Sequence, residues 1–258
     1  MKKAISLLIA LASLLAVLTA CSSPNSEQIS TNTPPTASTL QSDGVESSAQ
    51  EQGNHRVLIA YFTRLDNTDA TSDEIIQGGG PYGSLGGSLE DADVDAIASA
   101  SITVMGDQVQ GNVETMAQMI QNTVGGDLFS IRMREGYPVN YDELIEIGGE
   151  EKRTGARPEL STQVENMADY DIIFLGYPNW WYDMPMAVYS FLEEYDFAGK
   201  IIIPFVVSAS SGFSRTISSI QELEPEAIVM ENGLHIPMGE VGDGQAEIEA
   251  WISELEIF

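Results

Sequence analysis

From Arg56 to the end of the chain, short apolar runs alternate with amphipathic stretches. The runs Val57-Leu58-Ile59-Ala60-Tyr61-Phe62, Asp127-Leu128-Phe129-Ser130-Ile131, Ile172 to Gly176, Ile201-Ile202-Ile203-Pro204-Phe205-Val206-Val207 and Ala227-Ile228-Val229-Met230 have the length of strands. Several lack the polar alternation of a half-exposed strand, as expected when helices cover both faces of a sheet. Between the runs, Val113, Met116, Ala117, Ile120 and Val124 recur at helical spacing. So do Val188, Phe191, Leu192 and Tyr195, then Phe213, Ile217 and Ile220, and last Ile248, Trp251, Ile252 and Leu255. Asp243 is placed to cap the last of these helices. Repeated strand–helix alternation predicts an α/β domain, a doubly wound five-stranded parallel sheet with helices on both faces.

One segment breaks the rhythm. Between Thr63 and Gly111, where a tight turn is expected, the chain carries a long insertion after strand 1, about residues 65–110. It holds Gly78-Gly79-Gly80-Pro81-Tyr82-Gly83 and Gly86-Gly87, then an apolar stretch from Ile97 to Val104. Connections this long are functional or carry structure of their own. A mobile glycine-rich half and a more ordered second half are expected.

The N-terminus changes the picture of where the domain works. Met1-Lys2-Lys3 precedes an uncharged apolar run from Ala4 to Ala20, too short for a comfortable membrane span and ending in small residues. Residues 1–20 read as a signal peptide. Leu18-Thr19-Ala20-Cys21 resembles the bacterial lipobox, which makes Cys21 the lipidated first residue of an exported protein anchored to the cell membrane. Cys21 is the only cysteine, so it has no disulfide partner within the chain. Residues 21–54 are rich in Ser, Thr, Gln, Asn and Pro and predict a disordered linker. Its ends would lie roughly 30 Å apart as a flexible coil, which leaves residues 55–258 as the folded domain. The formal charge is −28. That argues against nucleic acid and anionic lipid as partners, and leaves the lipid chain as the only membrane contact.

Candidate chemistry concentrates on Gly176-Tyr177-Pro178-Asn179-Trp180-Trp181-Tyr182-Asp183-Met184-Pro185. This stretch leaves the C-terminal end of the third predicted strand, the edge at which open α/β sheets bind ligands. Two adjacent indoles there offer either a wall for a flat conjugated ligand or a cap on the core. Other chemistries are poorly provided for. His55 and His235 have no nucleophile partner in sequence, no Gly-x-Ser-x-Gly elbow occurs, and no Cys/His cluster supports zinc or an iron–sulfur centre. Asp91, Asp93 and Asp95 begin like an EF-hand loop, but Ala96 and Ile102 replace its Gly and Glu.

Taken in order, Tyr61-Phe62-Thr63-Arg64, Gly111-Asn112, Tyr137-Pro138 with Tyr141-Asp142-Glu143, Ala156-Arg157-Pro158-Glu159-Leu160, Gly176 to Pro185 and Ser211-Gly212-Phe213 give the chain a resemblance to the flavodoxin family. Within that family it is similar to the branch with a double-Trp loop. The resemblance implies strand order 2-1-3-4-5 and FMN as cofactor. It implies an FMN phosphate held by Thr63, Arg64, Gly111, Asn112 and Val113, although relatives commonly carry Thr at the position of Val113. It places the isoalloxazine ring against Tyr177, Pro178, Asn179, Trp180 and Trp181, with Ser208, Ser211 and Gly212 on the far side. The implied function is electron transfer outside the cell membrane with an unidentified redox protein or small acceptor. Two alternatives remain open: a flavin-dependent reductase of a quinone or other small acceptor, and a cofactor-free lipoprotein binding module on the same fold.

Overall fold

A computed structural model describes residues 55–68, 102–105, 108–138 and 141–257. The expected signal peptide, lipidated Cys21 and linker lie outside the described residues. So do the glycine-rich half of the insertion and the Asp91–Asp95 stretch.

The central sheet contains β1 (Val57–Tyr61), β4 (Asp127–Ser130), β5 (Ile172–Pro178), β6 (Ile201–Ser208), β7 (Ile228–Val229) and β8 (Leu234–Pro237). Its order is β4-β1-β5-β6-β7, with β8 also against β6, and every pairing is parallel. This is the 2-1-3-4-5 order implied by the resemblance. The sheet has six strands where five were expected, because β7 and β8 share the fifth position. β6 pairs with β7 at Ile201 and Ile202, then with β8 from Phe205 to Ser208. Pro204, which has no N–H to give a ladder, falls in the gap between them. Gly233 makes the return possible, since a Cβ there would stand 2.5 Å from the Pro204 carbonyl oxygen.

Five α-helices flank the sheet among the described residues: α1 (Asn112–Val124), α2 (Tyr141–Thr154), α3 (Met186–Glu194), α4 (Thr216–Leu223) and α5 (Gln245–Glu254). The central strands β1, β5 and β6 are apolar along nearly their whole length because helices cover both of their faces. Val57, Ile59 and Tyr61 of β1 join Phe174, Phe205 and Ile236 in one cluster with Met116 and Ile120 of α1 and Ile248 and Trp251 of α5. Leu58, Ala60 and Phe62 point the other way and join Ile173, Leu175 and Tyr177 with Val188, Phe191 and Leu192 of α3. Alternation along β1 therefore fills two cores instead of one core and one wet face. Trp251 pins α5 to the split edge, its Nε1–H donating to the Asn232 carbonyl at 2.7 Å.

The end of the insertion forms an antiparallel hairpin, β2 (Ile102–Met105) with β3 (Gln108–Gly111), which runs straight into α1. Asp243 does not cap α5. It ends a short 3-10 turn, Val241–Asp243, and Gly244 holds the cap position without a side-chain bond. Among the described residues no helix is long and apolar enough to cross a membrane.

Candidate functional site

A parallel sheet aims its C-terminal strand ends at one edge, and a crevice opens where the chain changes direction across the sheet. Here β1 connects outward to β4, and β5 then pairs on the other side of β1. A cavity of about 560 Å³, within the size range of small-ligand pockets, lies along the loops that leave β1, β5 and β6. Its wall includes Arg64, Pro178, Trp180, Trp181, Ser208 and Ser211.

The β5 loop is a tight turn. Trp180 and Asp183 exchange both backbone hydrogen bonds at 2.9 Å. The two residues between them, Trp181 and Tyr182, have φ of 54° and 61°. Two successive positive φ values define a type I′ turn, which ordinarily takes Asn-Gly. Bulky residues are strained in this region, so the surroundings must impose the shape. Lys152 of α2 donates to the Trp181 carbonyl and lies 3.5 Å from the Asp183 carboxylate. Asp183 Oδ1 accepts from its neighbour Met184 N–H and from Tyr189 O–H, both at 2.9 Å. The Trp181 indole lies over Gly148 and Gly149 of α2, where a Cβ on Gly149 would come within 3.3 Å of the ring. Trp180 is wedged edge-on between Tyr137 at 5.3 Å and Phe62 at 5.7 Å. Trp181 and Tyr182 remain 50% and 70% exposed at the cavity mouth.

The opposite wall is tied to this loop. Asn179 Nδ2 donates to the Gly212 carbonyl at 2.8 Å and to Ser214 Oγ at 3.0 Å. A carbonyl can only accept, so the amide orientation is fixed. Its buried partner atom, Asn179 Oδ1, has no hydrogen-bond partner among the described residues. Ser208 Oγ accepts from Gly212 N–H at 2.9 Å and lies 2.9 Å from His235 Nε2. Sequence inspection saw no partner for His235, because only the register of β8 against β6 brings the two side chains together.

The β1 loop is closed and buried. Asn67 Nδ2 donates to the carbonyls of Thr63 and Ile131, and Asn67 Oδ1 accepts from Met133 N–H. Arg64 is only 2% exposed, lines the cavity, and donates through Nη2 to the Pro138 carbonyl. Thr63, at 1% exposure, packs so close to Gly111 that a Cβ there would stand 2.0 Å from Thr63 Oγ1. At the start of α1 the Glu114 carboxylate accepts from Gly111 N–H at 3.3 Å. Burial, then the neighbouring Asp66, raises the Glu114 pKa.

The expected site residues thus divide. Arg64, Pro178, Asn179, Trp180, Trp181, Ser208 and Ser211 share one cavity wall. Thr63, Gly111, Asn112 and Val113 are buried and are not among the residues lining it. The Val113 side chain belongs to the core under α1. Tyr177 is fully buried, its O–H donating to Thr216 Oγ1, and Gly212 contributes to the wall only through its bonds to Asn179 and Ser208. Sequence reading missed Val207, Met238, the α2 residues Leu144, Ile145 and Gly148, and Tyr182, which also line the cavity.

A candidate flavoprotein from Bacteroides eggerthii is similar in structure, with TM-score 0.53 and 20% identity, covering 78% of this chain and 98% of that one. A second, from Bacteroides uniformis, gives TM-score 0.52 and 21% identity over 77% and 98%. At these identities the likeness concerns the fold. No curated protein matches the chain. The family model described as Flavodoxin matches residues 102–255, from the hairpin before α1 to the end of α5. The chain belongs to the flavodoxin family.

Proposed function

We propose that the domain is an FMN-dependent electron-transfer protein, held outside the cell membrane by a lipid on Cys21. The observation that carries the reading is the cavity at the strand-order switch, with an aromatic wall, a polar opposite wall and a buried cation. These residues fit a conjugated ring with an anionic tail. Trp180 and Trp181 offer faces for the ring. Ser208 and Ser211 offer hydrogen-bonding groups, and the acceptor Asn179 Oδ1 has no donor among the described residues. Arg64 keeps its charge when buried and suits a phosphate better than α1 does, because Glu114 already serves the start of that helix.

When bound, FMN supplies one- and two-electron redox chemistry. The chain supplies position and environment. Trp180, held by Phe62 and Tyr137, fixes one wall. Trp181 and Tyr182 flank the opening and limit water, and no side chain needs to act as a nucleophile.

The test is a titration of the purified protein with FMN, followed by flavin absorbance and fluorescence. Saturable binding that Arg64→Ala weakens for FMN and leaves unchanged for riboflavin supports both the ligand and the phosphate contact. A colourless protein that ignores FMN favours the cofactor-free module, a reading supported by the burial of Thr63, Asn112 and Val113. For the location, Cys21→Ala is expected to move the protein out of the membrane fraction or leave an unprocessed precursor.

A further inference from the structure

Ser208 ends β6 at the cavity wall, and His235 stands beside it on β8. Ser208 is buried and His235 half-buried, so the pair runs from the cavity toward solvent. Ser208 Oγ accepts from Gly212 N–H at 2.9 Å and meets His235 Nε2 at 2.9 Å. A hydroxyl has two lone pairs and one hydrogen. Gly212 uses one lone pair, so His235 decides what the others do. With a hydrogen on Nε2, His235 fills the second lone pair and leaves the Ser208 O–H as a donor to the cavity. With Nε2 bare, His235 takes that O–H and leaves Ser208 an acceptor. The imidazole therefore sets whether this point of the wall donates or accepts.

We propose that Ser208 and His235 form a proton relay for the ring that the cavity holds. The relay rests on the flavin reading of the site. A flavin ring takes up a proton together with two electrons, so one ring nitrogen changes from acceptor to donor. The electrons come from a reduced partner, which is oxidised in the same event. Ser208 passes its hydroxyl hydrogen to that nitrogen and takes the Nε2 hydrogen of the His235 imidazolium. One O–H and one N–H break, one N–H and one O–H form, and His235 becomes neutral with its remaining hydrogen on Nδ1. Ser208 then accepts from the new ring N–H while donating to the bare Nε2, so both redox forms are hydrogen-bonded. Imidazole suits the outer position because its two ring nitrogens let it give a hydrogen at one and keep or take one at the other. Ser208, on the cavity wall, would be the group in contact with the ring, and His235 would act through Ser208.

The native protein, Ser208→Ala, Ser208→Thr and His235→Gln are each titrated with FMN and then reduced with dithionite in H₂O and in D₂O under stopped flow. The reduction is followed at saturating FMN for each protein, so that a loss of affinity in the Ser208 variants does not enter the rate. Loss of a general acid is expected to slow the proton-coupled step in Ser208→Ala and His235→Gln by on the order of a hundredfold. Ser208→Thr, which keeps the hydroxyl, is expected to retain the native rate and solvent isotope effect. A further variant, His235→Gly, is expected to be slowed like His235→Gln and to be restored by added imidazole, which a merely structural role would not allow. As a readout independent of rate, the His235 ring ¹⁵N signals shift on FMN reduction in the native protein and stay fixed in Ser208→Ala. If the native protein fails to bind FMN, the flavin reading falls and the relay with it. If the variants bind FMN and are reduced at the native rate with the native isotope effect, the relay is wrong and the flavin reading stands.

Discussion

Trp181 and Tyr182 occupy a turn whose backbone suits glycine. Each non-glycine residue held in the left-handed region costs about 1–2 kcal/mol, and such strain persists where the surroundings over-determine it. Lys152, Asp183 and the Gly148-Gly149 seat do so here. Tyr182 is the cleaner probe, because at 70% exposure it has little packing to lose. Tyr182→Gly is expected to stabilise the fold by about 1 kcal/mol in urea unfolding while loosening FMN, which would identify the strain as serving the site. No gain in stability would mean that the tyrosine is held by contacts worth as much as the strain. Val113 is a second case in which burial decides. The resemblance to a Thr-bearing loop makes Val113→Thr look like a way to gain a phosphate bond. Yet Val113 is 2% exposed and packs in the α1 core. Placing a hydroxyl there costs about 1–3 kcal/mol without a partner. Val113→Thr is expected to lower the unfolding midpoint and leave the FMN dissociation constant unchanged. A tenfold tighter complex would overturn that placement.

At the scale of elements, what could be read in advance followed from burial. β1, β5 and β6 were legible as continuous apolar runs because helices cover both faces, and α1, α3 and α5 because each has one regular apolar stripe. α2 was not legible as a helix. Leu144 is buried, but Ile147 is 39% exposed, and the glycine pair that seats Trp181 lowers helical propensity in mid-helix. The split of the fifth strand was also hidden, since its cause, Pro204, lies in a different strand from the break. The cavity's aromatic side was visible as Trp180-Trp181, whereas the Ser208–His235 contact depends on β8 register and has no local signal. One helix end carries a pH response. Glu224, at the C-terminal end of α4, has its pKa raised to about 7 by burial first and then by Asp196 and Glu193. A carboxyl whose folded pKa exceeds its unfolded value binds more protons in the native state, so stability falls as pH rises between the two. Glu224→Gln is therefore expected to raise the melting temperature at pH 8, with the difference shrinking as pH falls through 7 and gone below about pH 4.5. A constant difference at all pH values would assign the effect to packing.

For the whole molecule, charge is the dominant property. The formal charge is −28, and the cations that are present are largely spent on local pairs. Arg56 meets Asp127 and Asp169, Arg132 meets Asp66, Arg153 meets Glu150 and Arg157 meets Glu193. Exposed pairs of this kind add little stability, but they leave the remaining carboxylates to set the field around the molecule. A negative field attracts cationic partners and repels anionic ones, and its reach is a Debye length, about 10 Å at 0.1 M salt. It also disfavours added negative charge on a ring in the cavity, which lowers the reduction potential. FMN-loaded protein, reduced and then mixed with hexaamminecobalt(III) or with ferricyanide, separates these charge effects from driving force through the dependence on salt. The rate with the cationic complex is expected to fall as sodium chloride rises from about 0.02 to 0.5 M, and the rate with ferricyanide to rise. A basic redox protein should behave like the cationic complex, with the steeper slope of a larger charged surface. Equal salt dependence for the two complexes would show that the carboxylates lie too far from the exchange site to steer, and would remove charge as the basis for choosing a partner.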